Sequence, residues 1–169
     1  ITGTTGFIGS CLLEKILEHN KVIIVKRSTS NTSKIDHLLD KCIVYDTDKT
    51  SLESIFTNNA IDGVIHLATI YKKTHSTSDI EAMIQTNVTF ATQLVELASK
   101  HNVKYFINTG TFFEYSTHHN QLDETCKKLP FNLYAATKSA FDAVLNYYAY
   151  NTPINILTLK LSAPFGYND

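Results

Sequence analysis

Apolar and polar positions follow two rhythms along this chain, and the rhythms alternate. Leu12, Leu13, Ile16 and Leu17 recur at helical spacing within residues 9–19, which predicts a helix with one buried stripe. Val22-Ile23-Ile24-Val25 is apolar on both faces, as a central parallel strand requires. The polar stretch STSNTSK over 28–34 reads as a loop. Cys42-Ile43-Val44-Tyr45 predicts a second strand, Leu52, Ile55 and Phe56 a short helix, and Val64-Ile65-His66-Leu67 a third strand. The clearest helix runs through Ile80, Met83, Ile84, Asn87, Val88, Ala91, Leu94, Val95 and Ala98. Tyr105 to Asn108 reads as a strand, and the polar residues 114–132, with Pro130, as a loop. A helix from Tyr134 to Tyr150 is expected to bury Ala140, Phe141, Val144, Leu145 and Tyr148; Pro153 ends the turn, and Ile154 to Leu161 form a last strand.

Strands alternating with helices favour an α/β, Rossmann-type fold: a doubly wound parallel sheet with helices on both faces. The chain has 169 residues, 43% of them hydrophobic, enough for one domain over 1–169 with a sizeable core. Its formal charge of −1, with no basic run, argues against a nucleic-acid partner. Lys72-Lys73 and Lys127-Lys128 are expected to be solvated surface pairs. No apolar run approaches the ~18 residues of a membrane span. The three cysteines, Cys11, Cys42 and Cys126, cannot all be paired and include no C-x-x-C, which fits a reducing, cytoplasmic compartment.

The chain opens ITGTTGFIGS, with Gly3, Gly6 and Gly9 directly before the first predicted helix. In a dinucleotide fold the first such glycine permits a tight turn. The second lets the backbone approach a pyrophosphate, and the third lets helix and strand pack closely. The helix N-terminus supplies free N–H groups and a partial positive charge. Such a fold needs a strand before the glycines, and only Ile1 stands there; the chain is therefore expected to be a fragment lacking most of its first strand. The cofactor is normally chosen at the end of the second strand, about 20 residues on. Lys26-Arg27-Ser28 stand at that point. Two cations and a hydroxyl suit a 2′-phosphate, so NADP is expected, with NAD as the alternative.

YAATK places Tyr134 and Lys138 four residues apart, on one face of a helix. A phenol titrates near pH ~10, and a nearby ammonium is expected to draw it down, making a general acid/base. His118-His119 with Asp123 and Glu124 match no standard ligand spacing, so no metal site is expected. His66, inside a strand, is expected to be a packed core histidine.

An ordered set of stretches covers nearly the whole chain: TGTTGFIG at 2–9, YDTD at 45–48, VIHLA at 64–68, TNVTFATQLVELA at 86–98, FINTGTFFEY at 106–115, YAATK at 134–138 and LKLSAPFG at 159–166. Together they resemble the extended short-chain dehydrogenase/reductase family, in its branch of NAD(P)-dependent nucleotide-sugar epimerases, dehydratases and reductases. The resemblance implies that Gly3, Thr5, Gly6, Phe7 and Ile8 hold the dinucleotide, with Lys26, Arg27 and Ser28 beyond them. It implies that Asp46 accepts from the adenine amino group beside Thr47, and that Leu67 and Ala68 lie along the cofactor. Thr109 would face the nicotinamide side and Pro164 the carboxamide. Thr111 would hold the reacting substrate oxygen, Tyr134 would exchange its proton, and Lys138 would bind the nicotinamide ribose and tune the tyrosine. Asn87 matches a structural helix asparagine.

Dehydratases of the family carry Asp-Glu where Phe112 and Phe113 stand here, which disfavours dehydration. Glu114 falls one residue late, and is either structural or a substrate-site acid. Ala163 replaces an asparagine that holds the substrate diphosphate in many members, and Lys160 replaces the usual arginine. The family's mostly C-terminal substrate domain is expected to lie beyond Asp169. The resemblance implies NADPH-dependent reduction of a nucleotide-linked 4-keto sugar. The alternatives are an NAD-dependent nucleotide-sugar 4-epimerase and a non-catalytic dinucleotide-binding regulatory protein. Family members often pair through two helices, so 80–100 and 134–150 would form a homodimer contact.

Overall fold

The computed structural model describes residues 1–115 and 122–166. Its elements run α1 (Phe7–Leu17), β1 (Val22–Lys26), a 3-10 helix (Asp36–Lys41), β2 (Cys42–Asp46), α2 (Leu52–Asn58) and β3 (Gly63–His66). A 3-10 turn (Thr77–Asp79) leads into α3 (Ile80–Ile84), a π-helical segment (Gln85–Phe90) and α4 (Ala91–Lys100). Then come β4 (Tyr105–Thr111), a 3-10 turn (Phe112–Glu114), α5 (Leu133–Asn151) and β5 (Asn155–Leu161).

Every strand pair is parallel. β1 pairs β2 from Val22 opposite Cys42 to Lys26 opposite Asp46. β3 pairs β4 from Gly63 opposite Tyr105, and β4 pairs β5 through to Thr111 opposite Leu161. Ile1 and Thr2 join the two halves. Thr2 bridges Val25 on one side and His66 on the other, in the slot of a central strand. Its N–H donates to Ile65 O (3.0 Å), Leu67 N–H donates to its carbonyl (3.2 Å), and Val25 N–H donates to Ile1 O (3.0 Å). The order is therefore β2-β1-Thr2-β3-β4-β5, which reverses at Thr2.

Burial along β1 alternates as the two-sided pattern requires. Val22 and Ile24 pack with Leu13 of α1 and with Ile35 and Leu38 on one face. Val25 joins Ile55, Phe56, Val64, Leu94, Val95, Phe106, Phe141 and Leu145 on the other. The 3-10 helix carrying Leu38 had no signal in the apolar rhythm. Tyr105, Leu157 and Leu159, which share a face of β4 and β5, remain 45–56% exposed.

Two expectations are corrected. Ala140 is exposed, because the buried stripe of α5 runs Tyr134, Lys138, Phe141, Leu145, Tyr148 and admits a lysine where the apolar rhythm suggested an alanine. The long helix is not uniform either. The π segment widens it at Asn87, which is buried and fully engaged: its Oδ1 accepts from Thr69 Oγ1 (3.0 Å) and Ile70 N–H (2.7 Å), and its Nδ2 donates to Ile70 O (3.0 Å) and Thr137 Oγ1 (3.0 Å). Its expected structural role thus has a concrete form: it ties the segment after β3 to α5. No described helix is long and apolar enough to cross a membrane, and no disulfide joins the cysteines.

His66 is a packed core histidine, as expected. It is 1% exposed and ringed by Phe90, Phe106 and Phe141. Its Nδ1 lies 2.8 Å from Thr2 Oγ1, which also accepts the Ala68 N–H (3.2 Å). Burial, with a smaller push from the Lys138 ammonium, lowers the imidazole to about 3. Folded His66 therefore stays neutral where the unfolded chain takes up a proton. Stability is expected to be unaffected by this group above about pH 6.5 and to fall by ~1.4 kcal/mol per unit as pH drops toward 3. Chemical denaturation between about pH 6 and 4.5 should show that slope, and a His66→Gln protein should lack it.

Candidate functional site

The glycine stretch is a turn pressed against the sheet. Gly3 has φ +75°, and a Cβ there would lie 2.6 Å from Ala68 N and 2.7 Å from Leu67 C. Both the left-handed backbone and the contact exclude a side chain. At Gly6 a Cβ would meet only Gly3 O, at 3.4 Å, so this glycine faces open space. At Gly9 a Cβ would lie 2.2 Å from Gly3 O and 2.7 Å from Thr4 Cα. The third glycine therefore seats α1 on its own loop, a correction to the helix-on-strand contact expected from the spacing. α1 starts at Phe7 with Gly6 as its N-cap, no capping side chain and no acidic residue in its first turn. Its leading N–H groups are left for a ligand, beside the positive end of the helix dipole.

These residues form one end of a cleft of about 970 Å³ along the C-terminal strand ends. Gly3, Thr5, Gly6, Phe7 and Ile8 line it, with Lys26 at the end of β1 and Arg27 just after it, Thr47 after β2, and Leu67 and Ala68 after β3. Thr109, Thr111 and Pro164 line it from β4 and from the segment after β5, and Tyr134 from the start of α5. Three sequence-predicted residues are not among the lining residues: Ser28, Asp46 and Lys138. Ser28 and Asp46 engage each other. The Ser28 hydroxyl donates to Asp46 (2.6 Å), the Ser28 N–H donates to Asp48 (2.8 Å), and Asp46 also accepts the Asp48 N–H (3.0 Å). The Ser28 hydroxyl is the main reason that the Asp46 carboxyl sits below its ordinary value.

Other lining residues were missed in the sequence. Thr69, Ile70 and Tyr71 follow β3 into the cleft, and Ser30 and Asp48 flank Arg27 and Thr47. The first group carried no signal, since only the Asn87 bonds place it. Asp48 lay inside YDTD.

At the far end, the Asn132 side chain caps α5 by accepting the Ala135 N–H (2.9 Å), setting Tyr134 in the first turn. Burial raises the Tyr134 phenol above its ordinary value, and the Glu114 carboxylate adds to this; a hydrogen bond with Thr69 works the other way. The Tyr71 ring meets Tyr134 edge-on at 4.9 Å. The expected downward pull of Lys138 on the phenol is not what the structure shows. Lys138 is 3% exposed, and burial lowers its ammonium to about 8, against the opposing effects of Glu114 and Asp142. Thr111 ends β4. Its Oγ1 accepts the Phe113 N–H (3.3 Å) and its own N–H donates to Glu114 (2.8 Å). Glu114 is fully buried, which removes the reading of it as a substrate-site acid. His118 and His119 lie outside the described residues; among those described, no group of three or more His, Cys, Asp or Glu could hold a metal ion.

A parallel sheet reversing at its glycine turn, with an uncapped helix over the reversal, is the dinucleotide-binding arrangement. A family model described as "NAD dependent epimerase/dehydratase family" matches residues 1–169. The chain belongs to that family. Among its relatives is the CDP-abequose synthase of Salmonella typhimurium, 28% identical over 177 residues, covering 100% of this chain and 54% of the relative. The UDP-glucose 4-epimerase of Caenorhabditis elegans is 28% identical over 129 residues, covering 63% of this chain and 36% of the relative. The chain thus spans about half the length, or less, of these curated relatives. The crystal structure of the UDP-glucuronic acid 4-epimerase from Bacillus cereus with UDP-glucuronic acid and NAD superposes with a TM-score of 0.84 at 26% identity, over 94% of this chain and 54% of that one.

The glycine contacts separate two roles within this epimerase/dehydratase fold. Gly6→Ala is expected to fold with stability within ~1 kcal/mol of the parent while weakening dinucleotide binding tenfold or more, because its methyl group points into the cleft. Gly9→Ala drives a methyl group into Gly3 O and is expected to lose several kcal/mol of stability as well. Thermal unfolding together with fluorescence titration of a reduced dinucleotide distinguishes the two.

Proposed function

We propose that this chain forms the cofactor half of an enzyme that reduces a nucleotide-linked 4-keto sugar with NADPH. The observation that supports this best is the layout of the cleft. An uncapped helix N-terminus and two cations, Lys26 and Arg27, stand at one end; Thr111 and Tyr134 stand at the other. The residues fit a dinucleotide, since Gly6 opens toward the space in front of α1 and the first turn has no acid to oppose a diphosphate. When bound, a reduced nicotinamide supplies the hydride.

The chain's residues do the rest. The free N–H groups at the start of α1, from Phe7 and Ile8, hold the diphosphate, the Gly6 N–H being donated to Gly3 O. Arg27 pairs with the 2′-phosphate. Thr111 hydrogen-bonds the carbonyl oxygen and stabilises the alkoxide it becomes, and the Tyr134 O–H supplies the proton. A phenol raised by burial stays protonated at neutral pH, which suits a proton donor. Lys138 lies behind Tyr134, where its ammonium would favour proton release as the alkoxide forms. Phe112 and Phe113 line the substrate side of the cleft, where a dehydratase needs an acid and a base. CDP-abequose synthase, by its name, makes a nucleotide-linked sugar, in keeping with this class of substrate.

A second reading, an NAD-retaining 4-epimerase, is favoured by one observation: Asp46 and Asp48 take up both donors of Ser28, placing carboxylates beside the position of a 2′-phosphate. Titration of the full-length protein decides between them. Exchangeable NADPH is expected to bind at least tenfold tighter than NADH, and Arg27→Ala to abolish that preference. NAD carried through purification, with no NADPH preference, would establish the epimerase instead. Tyr134→Phe is expected to lower turnover by about 10² to 10⁴ while leaving dinucleotide affinity unchanged.

A further inference from the structure

The proposed reaction leaves one fully buried carboxylate without a part. Glu114 is 0% exposed and sits three residues beyond Thr111. Its Oε1 accepts the Thr111 N–H at 2.8 Å. Its Oε2 accepts from Lys160 Nζ of β5 at 2.7 Å and from the Ser139 hydroxyl of α5 at 3.4 Å. Lys160 Nζ also reaches Asp142 Oδ2 at 3.3 Å, and Asp142 is paired with Lys128 as well. The charges alternate in sign through Glu114, Lys160, Asp142 and Lys128, tying the 3-10 turn to β5, α5 and the segment before it.

We infer that Glu114, anchored by Lys160 and admitted by Gly110, is a positioning residue that presents the Thr111 hydroxyl as a donor and sets the charge behind Tyr134. This rests on the reading of Thr111 and Tyr134 as the reacting pair. Two independent features of the geometry carry it.

The first is the reciprocal cap. The Thr111 side chain accepts N–H groups of the turn Phe112–Glu114 while Glu114 accepts the Thr111 N–H. The lone pairs of Thr111 Oγ1 are thus turned toward the turn, and its hydroxyl proton remains for the cleft it lines. A donor is what an oxygen gaining negative charge requires. The second is the space above Gly110. A Cβ there would lie 2.6 Å from Lys160 Cδ, 2.9 Å from Glu114 Oε1 and 3.0 Å from Lys160 Nζ. The strand residue just before Thr111 is bare because the ion pair crosses it. A buried ion pair is often no more stable than apolar residues of equal volume, so stability alone does not account for this one.

The charges around the pair come from several elements. Tyr134 faces Glu114 of the turn, and Tyr71 and Thr69 of the segment after β3. Lys138 faces Glu114, Lys160 of β5 and Asp142 of its own helix, and acts in turn on His66 of β3. Glu114 disfavours the Tyr134 phenolate and favours the Lys138 ammonium. Through the first of these effects it keeps the proton on the donor.

The test reads the fold and the phenol directly, in the full-length protein, without turnover. Phenolate absorbance, taken as the difference from a Tyr134→Phe protein, gives the titration of Tyr134. Exchange of the Thr111 amide with deuterium gives the cap, and NADPH fluorescence reports an intact cleft. Glu114→Gln keeps a carbonyl oxygen for the Thr111 N–H but removes the charge; it should leave amide protection and NADPH affinity within about threefold and move the Tyr134 titration to lower pH. Glu114→Ala should speed Thr111 exchange tenfold or more. If single variants fail to fold, the volume-matched pair Glu114→Leu with Lys160→Met is the second probe, and should fold yet show both changes. A Tyr134 titration and Thr111 protection unmoved in folded Glu114 variants would overturn the inference. An inactive reading of Tyr134 would instead appear as full turnover in Tyr134→Phe, an outcome these measurements do not share.

Discussion

The junction at Ile1 and Thr2 ties the two halves of the sheet together. Thr2 occupies the central strand slot, hydrogen-bonded to Ile65 and Leu67 of the β3 side while Ile1 bonds Val25 of the β1 side. Its hydroxyl bonds His66 and Ala68. The next residue, Gly3, turns at φ +75° beneath the Leu67–Ala68 backbone. The sheet junction, the glycine turn and the floor of the cleft are therefore one constraint. Because β1 and β2 run to one side of Thr2 and β3, β4 and β5 to the other, the loops above diverge, and a cleft opens where they part. The position of α1, whose free N–H groups face that cleft, follows from the same turn through the contact of Gly9 with Gly3 O.

Most of this was legible in the sequence because parallel strands buried on both faces leave continuous apolar runs, and Val22 to Val25 is one. What was not legible depends on partners distant in the chain. Asn87 falls in an unbroken helical rhythm, and nothing local says that the helix widens there. The π segment lets one amide reach both Ile70 and Thr137, from segments 17 and 50 residues away. Ala140 was expected inside and Lys138 had no place in the predicted core, yet the stripe of α5 turns the other way. Burying Lys138 is unfavourable by propensity and is made possible by Glu114 and Asp142.

The site divides along the same line. Motif residues whose backbone does the work, such as Gly3 and Gly6, stand where their spacing implied. Side chains at the cofactor end are harder to read, because a side chain can be taken by a neighbour. Ser28 and Asp46 both belong to recognisable positions, and they bond each other. Thr69 and Tyr71 shape the cleft beside Tyr134 although nothing in their own sequence marks them; Asn87 holds Thr69 and the intervening Ile70. Glu114, one residue past a familiar position, is displaced from the substrate side to the interior, and the bare strand at Gly110 is the sequence trace of that displacement.

The buried charges lead back to Thr2. Lys138 is an ammonium buried beneath the proposed proton donor, and His66 lies near enough for each to disfavour the other's charge. A protonated His66 would push the lysine toward neutrality. Burial keeps the imidazole neutral, and its Nδ1 lies 2.8 Å from the Thr2 hydroxyl, which also accepts the Ala68 N–H. Glu114 acts in the opposite sense, favouring the ammonium that a charged His66 would oppose. The sheet junction at Thr2 therefore reaches the buried charges of the cleft wall through one neutral ring, and the burial that packs the core also fixes the charge state of that ring.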